Sequence, residues 1–231
     1  MIISVHQPQY IPWLGYFHKI LKSDCFVFLD NVQYKEREFQ NRNKIRTKDG
    51  WIWLTVPVVS KGQGRQKIKD VRIDNSSQWR KEHLESLKAC YGRSRFFNDH
   101  IDFFERLYSK EWEKLSELNV SIVEYILNKL DIMTPIYFES ALDIKGTKTD
   151  RIVEICAKLK ADTYLSGAGG KDYLEEDRFK ENGIKLEYQS FNHPVYSQQF
   201  MKEKGDFLPF MSVLDLLFNE GTRSREILES V

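Results

Sequence analysis

The chain has 231 residues, of which 41% are hydrophobic and 13% aromatic, and 35 basic residues stand against 34 acidic ones. This composition excludes a disordered chain, and the balanced charge gives no global field that would attract nucleic acid or an anionic membrane. The opening MIISV is too short and too soon polar for a signal peptide, and no apolar run approaches the roughly 20 residues that span a bilayer. We therefore expect a cytoplasmic protein without a membrane span.

Three cysteines, Cys25, Cys90 and Cys156, lie far apart in the chain and form no CxxC pair. An odd number of widely spaced cysteines favours neither a disulfide framework nor a zinc knuckle. We expect three reduced thiols in apolar surroundings, no metal site and no bound cofactor.

The first half of the chain begins with a β-α-β pattern. Residues 1–5 and 25–30 are short apolar runs typical of buried strands, and residues 13–23 between them have apolar side chains at helical spacing. Residues 51–59 and, after a basic glycine-containing loop, residues 71–73 predict two further strands.

Residues 76–130 predict three helices, which we interpret as a helical insertion or lid. The remaining elements are predicted as strands at 136–140, 162–167 and 184–191 and helices at 149–161, 171–183, 207–218 and 222–229. Strands that alternate with helices at both ends of the chain predict an α/β fold. Its central, mostly parallel sheet carries flanking helices, and the chain forms a single domain over 1–231 with the insertion in the middle.

The first candidate site directly follows the first strand. In an open α/β sheet, ligands bind outside the carboxyl ends of the strands, and His6 and Gln7 take that place. With the prolines and glycine of this stretch, Tyr10, Trp13 and Tyr16 predict a rigid polar cup in which His6 could act as a general base. The alternative is a proline-rich turn packed by aromatic residues, with His6 bonded to a carbonyl group.

A second donor-rich stretch lies at residues 30–51, after the second strand. Asn41, Arg42, Asn43 and Arg46 would share the edge of the sheet with His6 and could bind carboxylates or phosphates. A solvated, charged loop is the alternative for such a run.

A third stretch, after the strand at 162–167, is rich in glycine. Glycines let the backbone approach a ligand, and N–H groups at a following helix favour an anion. Its candidate ligand-binding residues are Ser166, Gly167, Gly169, Gly170, Lys171 and Tyr173. The spacing matches neither a P-loop nor GxGxxG nor GxSxG, so a tight turn remains the alternative.

Near the C-terminus, His193 follows the last strand and Asp215 lies in an apolar helical stretch. His193 is a second candidate base, and Asp215 could orient a histidine or arginine of the site. Asn219, one turn later, is a candidate ligand-binding residue. The alternative for Asp215 is a salt bridge that stabilises the helix.

Over almost its whole length the sequence resembles the WbqC-like family of bacterial proteins. The resemblance is carried by HQPQYIPWLGYFHKI, FQNRNKI with WLTVPV, TDRIVEICAKLKADTYLSGAGGKDYL, HPVY and SVLDLLFNEG. It implies a gene found in clusters for O-antigen and other surface polysaccharides, and sometimes for secondary metabolites. It also implies transfer of glycine or another acyl-type group as the suspected activity.

The layout is also similar, more distantly, to nucleotide-binding α/β enzymes of the nucleotidylyltransferase and class I synthetase type. Those enzymes carry a paired HxGH, whereas the corresponding segment here reads GYFH, from Gly15 to His18. The departure puts the use of ATP in doubt.

Three hypotheses for function follow from these stretches. The first is a transferase that moves an acyl or aminoacyl group, from an unknown donor, onto a nucleotide-linked amino sugar, with a carrier protein as a candidate partner. The second is a non-catalytic protein that binds a carrier-bound intermediate or a partner enzyme. The third is an ATP-dependent enzyme that forms an adenylate or transfers a nucleotidyl group.

Overall fold

A computed structural model describes residues 1–231, except for the side chain of Lys204. The strands are β1 (Ile2–His6), β2 (Cys25–Phe28), β3 (Arg42–Thr47), β4 (Gly50–Thr55), β5 (Ile136–Phe138), β6 (Thr163–Ser166) and β7 (Lys185–Tyr188). The helices are α1 (Leu14–Leu21), α2 (Trp79–Tyr91), α3 (Ile101–Ser109), α4 (Leu115–Lys129), α5 (Lys148–Lys158), α6 (Glu176–Glu181), α7 (Val213–Glu220) and α8 (Ser224–Glu229).

Five of the strands form one parallel sheet in the order β5-β2-β1-β6-β7. The prediction of an α/β fold with a central, mostly parallel sheet and flanking helices is confirmed. Strand β1 is central, pairing Ile3 with Cys25 of β2 on one side and with Tyr164 of β6 on the other. The chain first builds outward from β1 through β2 to β5, and then returns to the other side of β1 for β6 and β7. The order therefore reverses between β1 and β6.

The two faces of the sheet pack against different helices because side chains alternate along each strand. On one face, Ile3 and Val5 of β1 belong to a buried cluster with Ile152 and Cys156 of α5. On the other face, the His6 ring packs edge-on against Tyr16 of α1. Successive residues Val5 and His6 thus direct their side chains to opposite faces of the sheet.

Strands β3 and β4 form a separate antiparallel hairpin. Residues 42–47, for which a solvated, charged loop was the alternative interpretation, form strand β3. Asn43 and Ile45 are fully buried on one face of this strand, whereas Arg42 and Lys44 on the other face are only partly covered. The polar composition hid this alternation. Residues 71–73, predicted as a strand, contribute only isolated bridges from Arg72 and Ile73.

The three helices predicted in residues 76–130 are present as α2, α3 and α4. Their apolar side chains belong to the same buried cluster as those of α1 and β2. The division into one domain with a lid stays a prediction. Helix α7 begins at Val213 rather than near 207, because the Ser212 hydroxyl accepts the Leu214 N–H at 3.2 Å and caps the helix there.

Candidate functional site

A cavity of about 310 Å³ lies at the point where the strand order reverses. Ligands of open α/β sheets bind at such a point, outside the carboxyl ends of the strands. Three of the cavity's walls come from the end of β1, the first turns of α1 and the segment after β6, and Gln189 and Phe191 after β7 complete it. Of the residues predicted from the sequence, the structure brings five to this cavity: His6, Trp13, Tyr16, Gly167 and Gly169.

The wall from α1 depends on a close approach between Trp13 and Gly15. A Cβ atom on Gly15 would lie 2.3 Å from ring carbons of Trp13, so only glycine leaves room for the indole at this position. The indole also packs edge-to-face with the Phe191 ring, with centroids 5.2 Å apart. Trp13 and Phe191 thus form an aromatic side of the cavity, and the rigid polar cup with a ligand-binding role stays a prediction.

His6 lies in the cavity as a neutral imidazole. Burial, and to a lesser extent the nearby Lys19 charge, lower the pKa of His6 to about 3. Nδ1 lies 3.2 Å from the Gln7 carbonyl oxygen, which can only accept, so this nitrogen carries the proton and Nε2 keeps a lone pair. His6 is thus suited to accept a hydrogen bond at neutral pH, and poorly suited to hold a proton.

Lys19 is a cavity residue that the sequence did not single out. Its side chain is only 3% exposed, and Nζ donates a hydrogen bond to the Val5 carbonyl oxygen at 3.0 Å. Among the side chains that the structure describes, Lys19 forms no ion pair. Burial lowers the pKa of Lys19 to about 7, so a large fraction of the amine is unprotonated at neutral pH. The available signal was its position one helical turn after Gly15, on the same face of α1.

The glycine-rich turn after β6 contributes its backbone to the cavity at Gly167 and Gly169. Ser166 is buried and its hydroxyl donates to the Gly167 carbonyl oxygen at 3.0 Å. A Cβ atom on Gly170 would lie 2.0 Å from the Ser166 Oγ, so these two residues fix the shape of the turn. Lys171 lies outside the cavity with its Nζ 5.2 Å from the centroid of the Tyr188 ring.

Gln7 and Tyr10 support the first loop rather than lining this cavity. The Gln7 side-chain oxygen accepts a hydrogen bond from Gln40 Nε2 at 2.7 Å. The Tyr10 ring is fully buried, and its hydroxyl lies 2.8 Å from His83 Nδ1 and 2.5 Å from the Tyr108 hydroxyl. Both predicted ligand-binding side chains are therefore occupied by partners within the protein.

The donor-rich stretch does not place its side chains in the cavity. Asn43 Nδ2 donates to the Ile11 carbonyl oxygen at 2.9 Å, and Asn41 Nδ2 donates to the Val56 carbonyl oxygen at the same distance. Asn43 thereby holds the first loop at Ile11, a β-branched residue with a φ of 38°. Both asparagines bind backbone carbonyl groups of the fold, and the anion-binding role of this stretch stays a prediction.

Two predicted arginines also have partners elsewhere. Arg46 is 4% exposed, and its Nη1 donates to Gln198 Oε1 at 2.7 Å and to the Asp206 carbonyl oxygen at 2.9 Å. Arg42 lies over the ring of Trp53, with its guanidinium carbon 4.3 Å from the centroid. The hairpin therefore holds both guanidinium groups away from the edge where His6 lies.

His193 is outside the cavity, and its ring stacks on Trp13 with centroids 6.5 Å apart. Its Nε2 accepts the Phe210 N–H at 3.1 Å, so Nδ1 carries the proton and donates to the Pro194 carbonyl oxygen at 2.9 Å. Both ring nitrogens are thus engaged. In this arrangement the imidazole fixes the loop that supports Trp13.

Asp215 is fully buried at the centre of a polar network. Its carboxylate accepts hydrogen bonds from the hydroxyls of Tyr91 and Tyr196, at 3.0 and 2.9 Å, and from Gln198 Nε2 at 2.7 Å. Burial raises the pKa of Asp215 to about 6 despite these donors. Asn219 donates to the Asp215 main-chain oxygen at 2.7 Å, within α7. Neither side chain lines the cavity, and the roles predicted for them at the site stay predictions.

Among the residues whose side chains are described, no group of three His, Cys, Asp or Glu residues is placed to hold a metal ion. The three cysteines are buried free thiols. No helix of the described chain is both long enough and apolar enough to cross a membrane.

Comparison with known proteins identifies the family. A model of the WbqC-like protein family matches residues 7–227. The chain belongs to the WbqC-like protein family. It is 34% identical over 227 residues to the uncharacterized protein Rv1507c of Mycobacterium tuberculosis, a match that covers 98% of this chain and 96% of that protein. No solved structure matches this WbqC-like chain.

Proposed function

We propose that this WbqC-like protein is a transferase that forms an amide on an amino sugar, with the sugar carried on a nucleotide. The observation that carries the proposal is a buried lysine amine, without an ion-pair partner among the described side chains, in a cavity at the reversal of strand order. A volume of about 310 Å³ lies at the lower end of ligand pockets, which span about 300 to 1,000 Å³.

Lys19 supplies the base that this reaction needs. Unprotonated Nζ donates one hydrogen to the Val5 carbonyl oxygen and retains a lone pair. The substrate's ammonium group first loses one proton to solvent. The resulting amine attacks the acyl carbon of the donor while its N–H proton passes to the Lys19 lone pair. The bond from that carbon to the donor's sulfur or oxygen then breaks, and the leaving group takes the proton back from Lys19. A base with a pKa of about 7 is matched to proton transfer at neutral pH.

His6 has a different part in the proposal. With a pKa of about 3 it stays neutral through the reaction, so Nε2 can accept a hydrogen bond from a hydroxyl or amine of the substrate. Trp13 and Phe191 offer apolar surface to a sugar or base ring. The site therefore orients the amine with His6 and deprotonates it with Lys19.

The purified protein should be incubated with nucleotide-linked amino sugars and with acyl-CoA, acyl-carrier-protein or aminoacyl donors, while loss of the primary amine is followed. We expect amide formation with one donor class. Binding of the sugar nucleotide in a thermal-shift assay, without product from any donor, would contradict the transferase and leave a binding protein.

One observation favours a binding function instead, namely the aromatic and cationic side chains on the exposed face of the β3–β4 hairpin. Trp51 is 43% exposed, and the Nζ of Lys44 lies 4.3 Å from the centroid of its ring. Arg42 stacks similarly on Trp53. Such a cationic and aromatic face is typical of interfaces. Replacement of Trp51 and Trp53 by alanine would abolish a binding function and leave amide formation in the cavity unchanged.

The ATP-dependent alternative draws on the strand order, which reverses as in nucleotide-binding sheets. It requires pyrophosphate release that depends on ATP. If the protein released pyrophosphate from ATP and formed no amide, it would be assigned as an adenylate-forming enzyme rather than a transferase.

A further inference from the structure

Gln189 lines the cavity that contains the Lys19 amine, and the sequence did not single it out. It directly follows β7, and its main-chain N–H donates to the Ser166 carbonyl oxygen at 2.7 Å, at the end of β6. Its side chain extends toward α1, where Nε2 donates to the Gly15 carbonyl oxygen at 2.8 Å. Both the main chain and the side chain of Gln189 are therefore held by neighbouring elements.

Two acceptors fix the orientation of the Gln189 amide. The Gly15 carbonyl oxygen can only accept, so the amide nitrogen faces it, and the same nitrogen lies 2.9 Å from His18 Nδ1. His18 Nε2 lies 3.0 Å from the main-chain oxygen of Val231 and therefore carries the proton of the imidazole. Burial lowers the pKa of His18, so the ring is neutral at neutral pH and Nδ1 keeps a lone pair for the second amide hydrogen.

Both hydrogens of the Gln189 amide are thus bound within the protein, whereas its Oε1 is available to a ligand. No N–H or O–H group in the described part of the chain donates to Oε1, and this oxygen is not buried. Gln189 separates the Lys19 cavity from a neighbouring one that His18 lines. Because the amide nitrogen is directed at His18, the geometry leaves Oε1 to the Lys19 cavity.

Oε1 adds to a set of lone pairs around this cavity. His6 Nε2 and the unprotonated Nζ of Lys19 can also accept, and no Asp or Glu of the described residues lines the cavity. A ligand with several N–H and O–H donors satisfies these atoms, whereas a carboxylate or ether oxygen at Oε1 would meet another lone pair. An amino sugar offers such donors, because hydroxyl groups accompany its amine.

We infer that Gln189 is a specificity-determining residue, whose Oε1 accepts a hydrogen bond from one hydroxyl of the amino sugar while the amine lies at His6 and Lys19. The inference rests on the proposed transferase. A site that hydrogen-bonds a substrate hydroxyl discriminates against the analogue that lacks it, because a polar group of the site is then left unpaired. The substrates are thereby narrowed to amino sugars in which this hydroxyl is present and unsubstituted.

Paired changes in the protein and in the ligand test the assignment. Gln189→Met removes Oε1 and keeps the length of the side chain. Gln199→Met is the matched control, because Gln199 is also half-buried and its Oε1 accepts from the Ser94 hydroxyl at 2.8 Å, outside the cavity. The probes are UDP-glucose derivatives with an amine at carbon 2, 3 or 4, together with the monodeoxy analogues of each. Isothermal titration calorimetry without a donor measures their affinities.

We expect wild type to bind at least one of the three parent sugars, and one of its monodeoxy analogues about tenfold more weakly. In Gln189→Met the parent sugar should lose about tenfold in affinity and that analogue should bind as it does to wild type, so the discrimination disappears. Gln199→Met should keep the wild-type discrimination. A purely structural role of Gln189 would weaken the parent sugar and its analogues equally.

Equal affinities of wild type for a parent sugar and all its monodeoxy analogues would overturn the inference, as would binding of none of the probes or discrimination that survives in Gln189→Met. If Gln189→Met does not fold, Gln189→Ala takes its place. Discrimination that depends on Gln189, without amide formation from any donor, would keep the hydroxyl site and reject the proposed transferase. Amide formation with discrimination that does not depend on Gln189 would do the reverse.

Discussion

The Lys19 side chain extends from α1 to the end of β1, where its Nζ donates a hydrogen bond to the Val5 carbonyl oxygen at 3.0 Å. This contact ties the first helix to the central strand with a group that is expensive to bury when charged. The same amine lines the cavity. Its burial therefore both destabilises the folded protein and lowers the Lys19 pKa, which makes the amine suited to act as a base.

Replacing Lys19 by methionine should stabilise the protein at neutral pH. The pKa falls from 10.5 in the unfolded chain to about 7 in the folded one, so the folded state binds fewer protons between these values. Wild-type stability therefore rises with pH across this window, and below pH 7 the burial costs on the order of 4 kcal/mol. The gain in melting temperature for Lys19→Met should be largest at and below pH 7 and shrink toward pH 10. A variant less stable than wild type at every pH would contradict the burial argument.

Gly170→Ala should destabilise the glycine-rich turn, and Gly169→Ala should not. The added Cβ atom at position 170 meets the Ser166 Oγ at 2.0 Å, whereas position 169 faces open space. Overpacking of this kind costs about 1 to 3 kcal/mol. Urea unfolding of both variants measures the difference. Ser166→Ala should recover part of the loss in the double variant, and strict additivity would mean that the two residues do not interact.

Asp215→Asn should cost more stability at pH 4.5 than at pH 7. Burial raises the pKa of Asp215 from 3.8 to about 6, so the folded state binds more protons between these values. The contribution of this carboxyl group is therefore greatest at low pH and falls by about 2 to 3 kcal/mol as pH rises through 6. Chemical unfolding of wild type and variant at both pH values gives the comparison. A cost that grows with pH would contradict the direction of the pKa change.

Asn43→Ala should loosen the first loop as well as lower stability. The side chain holds the Ile11 carbonyl oxygen at 2.9 Å, and Ile11 has an unfavourable positive φ. Loss of a buried hydrogen bond costs about 1 to 3 kcal/mol, and Trp13 lies two residues further on. We expect a lower melting temperature and weaker ligand binding in the cavity. Lys44→Ala, on the exposed face of the same strand, is the control and should leave ligand binding unchanged.

The sheet and α1 could be predicted because short apolar runs and helical spacing report burial directly. The edge of the sheet could be predicted too, since His6 ends one short apolar strand and Gly167 directly follows another. The hairpin strand β3 could not, because Asn43 is buried by bonds to backbone carbonyls that are distant in sequence. Such partners leave no periodic pattern in the sequence.

The surroundings of two residues at or near the site, Lys19 and His193, could likewise not be predicted from the sequence. Lys19 lies between His18 and the nearby Lys22, a polar setting in which solvent exposure is the ordinary expectation, and only the packing of α1 against β1 shows its burial. His193 was predicted as a base from its place after a strand. Its two hydrogen bonds, to Phe210 and Pro194, depend on a loop conformation that composition does not specify.

The most direct test of the account is the pH profile of amide formation for wild type and for Lys19→Arg, with Lys22→Arg, at the exposed residue just after α1, as control. Arginine keeps a positive charge and cannot give up its proton in this range, so it cannot serve as the base. We predict a wild-type rate that rises to a plateau above a pKa near 7, a loss of at least 100-fold in Lys19→Arg, and no change in Lys22→Arg. A Lys19→Arg variant with the wild-type rate and profile would contradict the claim that this lysine is the base of the site.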